Sequence, residues 1–504
     1  MARNTPTAVT PGRYTVYYGP VINPYSSTYF DALPNCVIVV DGKGNIAHLI
    51  EKLDVTSLEL QKVLLTQIGL LDGTFTLVIL EPGEFIMPGF VDTHIHACQV
   101  PNLGVGGQYE LLDWLKYYTY PTESKFADKN YAARVYPSIV RRVIDSGTTT
   151  SCYYGSLHFD ATMLLADIVR SKGQRAFVGK CNMDRNCPPY YIEPCAQVSL
   201  ETTKCLVKHI QNLPQSPAGE PLVHPVITPR FAMSCTEELL TDLGNYAKAN
   251  PHIAIQTHIA ETQQEVENTL KLFPDCKSYA GVYDKYKLLR HNTILGHGIY
   301  LTDEEMKLIA ERGAGVAHCP ASNFYLGSGM ARVRKLLEHG VKARGFSPDF
   351  SADAYRLSIT QVGLGTDVSG GNNPSILYTI QMASTTSKMV EILPNEGGKK
   401  FDTAMLLYLA TLGGAEVCCL QDRIGSFERG KAFDALLVSV RDDSGNPAIW
   451  GYNPGRDLTE EDTPKSAEEM LKEWLERFFF CGDDRNIRQV IVQGAVIGGQ
   501  EFQG

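Results

Sequence analysis

The stretch Pro88-Gly-Phe-Val-Asp-Thr-His-Ile-His96 decides how the chain is read. Pro88-Gly89 punctuates its start, and Phe90, Val91 and Ile95 are strand formers. Residues two apart in a strand face the same way, so His94 and His96 aim two imidazoles at one point. Imidazole suits zinc, and a catalytic zinc takes three protein ligands plus an open position for water. A surface strand can also carry two unrelated histidines. The pair gains meaning only if further ligands arrive at the ends of other strands.

Outward from this segment, strand-like and helix-like stretches alternate. Strands are expected at Gly89–Ile95, Thr148–Tyr154, Ala176–Lys180, Pro225–Pro229, Ile253–Thr257, Thr293–Gly296, Gly315–Ala317 and Val362–Thr366. Helix signals lie between them. Asp160 is placed to cap a helix that stops at Gly173, and Ser234 with Glu237, and Thr302 with Glu305, have capping-box spacing. Eight strands alternating with helices predict an α/β fold, a (β/α)8 barrel of the TIM type. A doubly wound open sheet is the alternative, but it does not naturally draw ligands from strands one, five, six and eight.

Both chain ends read instead as short strands, at Tyr14–Ile22, Cys36–Val40, Ile46–Ile50 and Thr76–Leu80, then at Ala435–Val440 and Gln489–Val492. We expect them to pair into one small β-sandwich domain. Residues 1–86 would form its N-terminal part, 87–420 the barrel, and 421–504 the part that completes it. One segment breaks the pattern. Residues 343–361 intervene before strand eight, where such connections usually run about 2–6 residues. They read as a loop insertion.

The ends of barrel strands carry active sites in this architecture. Strand one ends in His94 and His96, strand five in His258, strand six in His297 and strand eight in Asp367. Four strand ends all offering metal-ligand side chains point to a metal-assisted hydrolysis. Asp367 would take the proton of the attacking water, and His297 would stabilise developing charge from outside the ligand set. Glu261, three residues beyond His258, would carry a proton to the leaving group; its plain alternative is a solvated or helix-capping glutamate.

Composition limits the partners. The net charge of −10 argues against nucleic acid or an anionic membrane. The Leu/Ile-rich stretch from Leu58 to Leu80 is broken by Gln61, Lys62, Gln67, Asp72 and Gly73 and is no membrane span. The 13 cysteines include no Cys-x-x-Cys pair and read as reduced thiols of a cytoplasmic protein.

With these motifs in hand, Met87 to Ala97 resembles the metal motif of the amidohydrolase superfamily. Gln256-Thr-His-Ile-Ala-Glu261, Leu295-Gly-His-Gly298, Ala317-His-Cys-Pro320 and Gly363 to Gly371 match its later motifs in order. Gln99, Arg134 to Tyr154, Gln174 to Lys180, Thr228-Pro-Arg-Phe231, Ala410 to Gly414 and Gly482 to Asn486 look like the guanine deaminase family within it. The resemblance implies hydrolysis of guanine to xanthine and ammonia, one zinc ion per subunit and a homodimer. It implies His94, His96, His258 and Asp367 as zinc ligands, with Glu261 as proton shuttle and His297 beside the nucleophile. Substrate contacts would map to Ile95, His96, Ala97, Cys98, Gln99, Arg230, Phe231, His258, Glu261 and Asp367. A planar base suits an aromatic face at Phe231, a purine O6 a donor at Arg230, and a ring nitrogen the Gln99 amide. Strand four holds no lysine for a carboxylated two-metal bridge. The motifs of base-editing zinc deaminases, His-x-Glu and Pro-Cys-x-x-Cys, are absent. A related hydrolase of another purine, a pterin or a triazine, and an inactive metal-bound scaffold, are the other readings.

Overall fold

Runs of β-branched and aromatic residues, each closed by a turn or helix start, give eight strands: β1 (Phe90–His96), β2 (Thr148–Tyr154), β3 (Arg175–Gly179), β4 (Val223–Pro229), β5 (Ala254–Ile259), β6 (Thr293–His297), β7 (Gly315–His318) and β8 (Gln361–Leu364). The structure, a computed structural model, describes residues 12–53, 55, 57–71, 73–342, 361–393, 398–453 and 465–503. The strands pair in sequence order and in parallel. The sheet curls until β8 meets β1. There the Thr93 hydroxyl donates to the Leu364 carbonyl at 2.8 Å, and the Asp367 N–H donates to the His94 carbonyl at 2.7 Å. The result is the TIM-type barrel that the alternation predicts.

Helix ends follow the capping chemistry with two corrections. Thr302 and Glu305 form a reciprocal capping box for Asp303–Arg312, which stops at Gly313 with φ 70°. The helix Glu237–Ala249 is capped by Thr236, not Ser234, because the Ser234 hydroxyl donates to the Phe231 carbonyl instead. Asp160 lies inside the first turn of Phe159–Ser171 rather than capping it.

The two chain ends do join. Ala435–Ser439 runs antiparallel to Glu84–Pro88, the strand that leads directly into β1. The full sheet also contains Tyr14–Ser26, Tyr29–Val40, Ile46–Ile50, Phe75–Ile79, Ile487–Val492 and Ala495–Gly498. It closes sandwich-fashion over a core of its own, in which the Tyr17 and Phe433 rings pack at a tilt with centres 4.9 Å apart among Cys36, Ile86, Leu437 and Ile491. The strands Glu84–Pro88 and Ala495–Gly498 were not anticipated. Arg175, at the start of β3, ties sheet to barrel: its Nε donates to Asp434 Oδ2 at 2.8 Å and its Nη2 to Gln493 Oε1 at 3.2 Å, all three buried.

The expected insertion falls, but for Gln361, outside the described residues. Beyond it, β8 pairs in register with β7 from Gln361 to Leu364, so the strand leading to Asp367 is intact. Among the described residues, no helix is long and apolar enough to cross a membrane. All 13 cysteines are free thiols.

Candidate active site

β1 carries its histidines to the barrel mouth through an irregularity. Val91 packs in the core beneath the mouth with Cys152, Phe177, Val226 and Ile294, yet His94 and His96 also point inward. An odd separation in a regular strand would send Val91 and His94 to opposite faces. The pairing with β2 slips between Asp92 and Ile95, which absorbs the difference. Asp92 secures the junction by accepting from the Thr366 N–H at 3.0 Å, the Thr366 hydroxyl at 2.6 Å and the His94 N–H at 3.2 Å. Two glycines make room for His94. A Cβ on Gly296 would lie 2.7 Å from its ring, and one on Gly365 would lie 2.8 Å from its Cβ.

Three strand ends then converge. His94 Nε2 and His96 Nε2 lie 3.2 and 3.3 Å from Asp367 Oδ1, and His96 Nε2 lies 3.1 Å from His258 Nε2. These side chains form a buried cluster whose ligand atoms lie within 4.8 Å of one another. The donor set fits a divalent metal. Both His94 nitrogens are buried with no hydrogen-bond partner among the described residues, a state disfavoured unless a cation takes a lone pair. His258 Nδ1 sits 2.5 Å from the Arg230 carbonyl, which places its proton there and leaves Nε2 as the free donor. Burial lowers His94 to about 4 and drives His258 well below the ordinary histidine range, keeping both imidazoles neutral as ligation requires.

A second group adjoins it. His297 Nε2 stands 3.4 Å from Glu261 Oε2 and 3.6 Å from Asp367 Oδ2. His297 Nδ1 lies 2.9 Å from Asn323 Oδ1, and the Ser328 hydroxyl donates to Glu261 Oε1 at 3.1 Å. His297 and Asp367 both adopt left-handed backbone, φ 72° and 47°, a conformation uncommon for L residues. Burial raises the Glu261 carboxyl to about 7, with neighbouring Asp367 adding to the effect. Burial opposes charge on Asp367 too, but the imidazole nitrogens of His94 and His96 beside Oδ1, with His297 beside Oδ2, hold that carboxyl well below the usual range. Glu261 does not cap the next helix. Thr262 caps Gln263–Leu272, and Glu261 is buried.

A cavity opens on this cluster. His96, Gln99, Arg230, Phe231, His258, Glu261 and Asp367 line it, with Trp114, Leu115 and Leu326 as apolar walls. Ile95, Ala97 and Cys98 are fully buried in the adjacent core rather than along the cavity. Arg230 is buried, and its partner is Glu123, whose Oε2 accepts from Nη1 at 2.7 Å. Neither Glu123 nor the apolar wall was anticipated. Glu123, Trp114 and Leu115 come from the long excursion after β1 and Leu326 from the helix after β7, where no strand-end spacing marks a functional position.

The Amidohydrolase family profile matches residues 85–497. The guanine deaminase of Dictyostelium discoideum is 38% identical over 481 residues, covering 95% of this chain and 97% of its own length. The probable guanine deaminase of Schizosaccharomyces pombe is 44% identical over 424 residues, 84% of this chain and 73% of that one. Among solved structures, the guanine deaminase of C. acetobutylicum with bound guanine in the active site superposes with a TM-score of 0.79 at 32% identity. That match covers 96% of this chain and all of the other.

Proposed function

The chain belongs to the guanine deaminase family of the amidohydrolases, and on that premise we propose that it hydrolyses guanine to xanthine and ammonia with one zinc ion per subunit. The observation that carries this reading is a single cavity lined both by His96, His258 and Asp367 of the metal-binding cluster and by the donors Arg230 and Gln99. A bound divalent cation supplies Lewis acidity, which makes water acidic near neutral pH. His94, His96, His258 and Asp367 are the residues that would hold it.

The remaining roles follow from position. Asp367 Oδ2 accepts a proton from the attacking water, with His297 Nε2 beside it to stabilise the charge that builds on the attacking oxygen. The Ser328 hydroxyl occupies Glu261 Oε1, leaving Oε2 to carry a proton to the base and to the departing amine. Oxygen bonds to the carbon, the carbon–nitrogen bond breaks, and ammonia leaves. Arg230 donates to the exocyclic oxygen of the base, Gln99 meets a ring nitrogen, and Phe231 offers an aromatic face.

The test uses purified protein with one equivalent of zinc. It should deplete the guanine absorbance and release stoichiometric ammonia. Turnover of a pterin, a triazine or another purine, with none of guanine, would sink the substrate assignment. A cytoplasmic homodimer completes the proposal. The dimer rests on family membership, and sedimentation of the purified chain tests it.

A further inference from the structure

Behind the cavity, and not lining it, lies one carboxylate that touches both proposed base-contact residues. Glu123, fully buried in the short helix Tyr120–Ser124, accepts from Gln99 Nε2 at 2.8 Å through Oε1. Its Oε2 accepts from Arg230 Nη1 at 2.7 Å and from the Tyr191 hydroxyl at 2.6 Å. The far end of Gln99 is also held, since its Oε1 accepts from the Ser369 N–H at 3.3 Å. The Arg230 guanidinium lies 5.3 Å from the centre of the Tyr120 ring, which fixes its plane. Three donors therefore converge on one buried anion, and two of them belong to side chains that line the cavity.

We infer that Glu123 is a positioning residue that fixes how Arg230 and Gln99 present their donors, and so selects a base carrying an exocyclic oxygen over one carrying an amino group there. The inference rests on the reaction proposed above. The physical reason is directional. A carboxylate only accepts, so the Gln99 amide must turn its NH2 toward Glu123 and its oxygen toward Ser369. Arg230 commits one N–H to Glu123 and keeps its other donors, none of which can accept. A neutral amide at position 123 can offer hydrogens as well as accept them. Gln99 is then free to rotate and present its carbonyl, and discrimination between an oxo and an amino base relaxes.

The experiment compares wild type, Glu123→Gln and Glu123→Asp as zinc-loaded proteins. It measures kcat and KM for guanine, inhibition by 2,6-diaminopurine, and zinc content. For both variants we expect kcat/KM to fall about tenfold or more, mainly through KM, at unchanged zinc content. Glu123→Gln should also narrow the preference for guanine over 2,6-diaminopurine. In an Arg230→Ala background, Glu123→Gln should remove about twofold or less in addition, because the two residues act as one unit. Full additivity, or wild-type KM and preference in both variants, overturns the inference. If Glu123→Gln does not fold, Glu123→Asp and Tyr191→Phe decide the matter, since each keeps the charge and disturbs only the hydrogen-bond geometry. Turnover by wild type of a different base would defeat the guanine assignment alone, and the same comparison would then be made on that base. No turnover of any base by wild type would overturn both.

Discussion

His258 Nδ1 lies 2.5 Å from the carbonyl oxygen of Arg230, so one residue serves both halves of the cavity. Its backbone orients a histidine of the metal-binding cluster, and its side chain lines the cavity. A substitution at position 230 separates these functions, because the carbonyl survives any change of side chain. Arg230→Ala should therefore retain stoichiometric metal while kcat/KM for guanine falls by one to two orders of magnitude. That corresponds to the roughly 1.5–3 kcal/mol of a charge-assisted hydrogen bond. Metal analysis beside steady-state kinetics checks it, and parallel loss of metal and activity would contradict the separation.

The same substitution strands Glu123 in the interior. Breaking a buried ion pair from one side typically costs about 3–5 kcal/mol, so Arg230→Ala should melt well below wild type. Combining Arg230→Met with Glu123→Gln removes both charges and should recover most of that stability without recovering activity. Thermal melts of the single and double variants test this.

Gly296 carries no side chain because His94 fills the space. In Gly296→Ala the new Cβ would meet His94 Cε1 at 2.7 Å and Nδ1 at 3.0 Å. The ring must turn, and metal affinity should drop about 10–100-fold, the usual penalty for disturbing a ligand's support. Competition against a metal indicator measures it. An affinity equal to wild type would mean that the ring has room the geometry does not show.

Removal of metal by a chelator should abolish deamination and lower the melting temperature, because a ligand that binds only the folded state stabilises it. One equivalent of zinc per chain should restore both. Asp367→Ala should do neither after zinc addition. Glu261→Gln should behave differently, keeping its metal and losing about 10²–10⁴-fold in rate, the range of a lost proton-transfer group.

Acid should expose the Glu123 network. Burial alone would raise this carboxyl, but Arg230 reverses the balance and holds it below the ordinary range. A carboxyl depressed on folding adds stability that is complete above the unfolded value, about 4.3, and is lost as pH falls through the lower folded one. The stability gap between wild type and Glu123→Gln should accordingly be widest near neutrality and close below about pH 4. A gap that stays constant with pH would show that the carboxylate charge is not what the interior uses.

The barrel and its metal cluster were legible because they depend on short-range rules. Strand runs, capping spacing and a ligand type at each strand end are all local, and each of the eight expected strands appears within a few residues of its place. Thr236 displaced Ser234 as a helix cap because both are good caps two residues apart, and only the Phe231 carbonyl decided between them. Glu123 was illegible for a different reason. Its meaning lies in contacts to Gln99, Tyr191 and Arg230, spread over more than a hundred positions and brought together only by the fold. Trp114, Leu115 and Leu326 read as ordinary apolar residues until the cavity shows which of their faces is uncovered.

The strand Glu84–Pro88 feeds straight into β1, while its partner Ala435–Ser439 follows the whole barrel. A chain emerging from the ribosome thus completes every position of the metal cluster before it can close the sheet that anchors β1. Any product ending between Asp367 and Ala435 would carry the full chemical set and an open sheet edge, the arrangement most prone to pairing with another chain. For this protein, vulnerability during synthesis is set by the last strands to arrive.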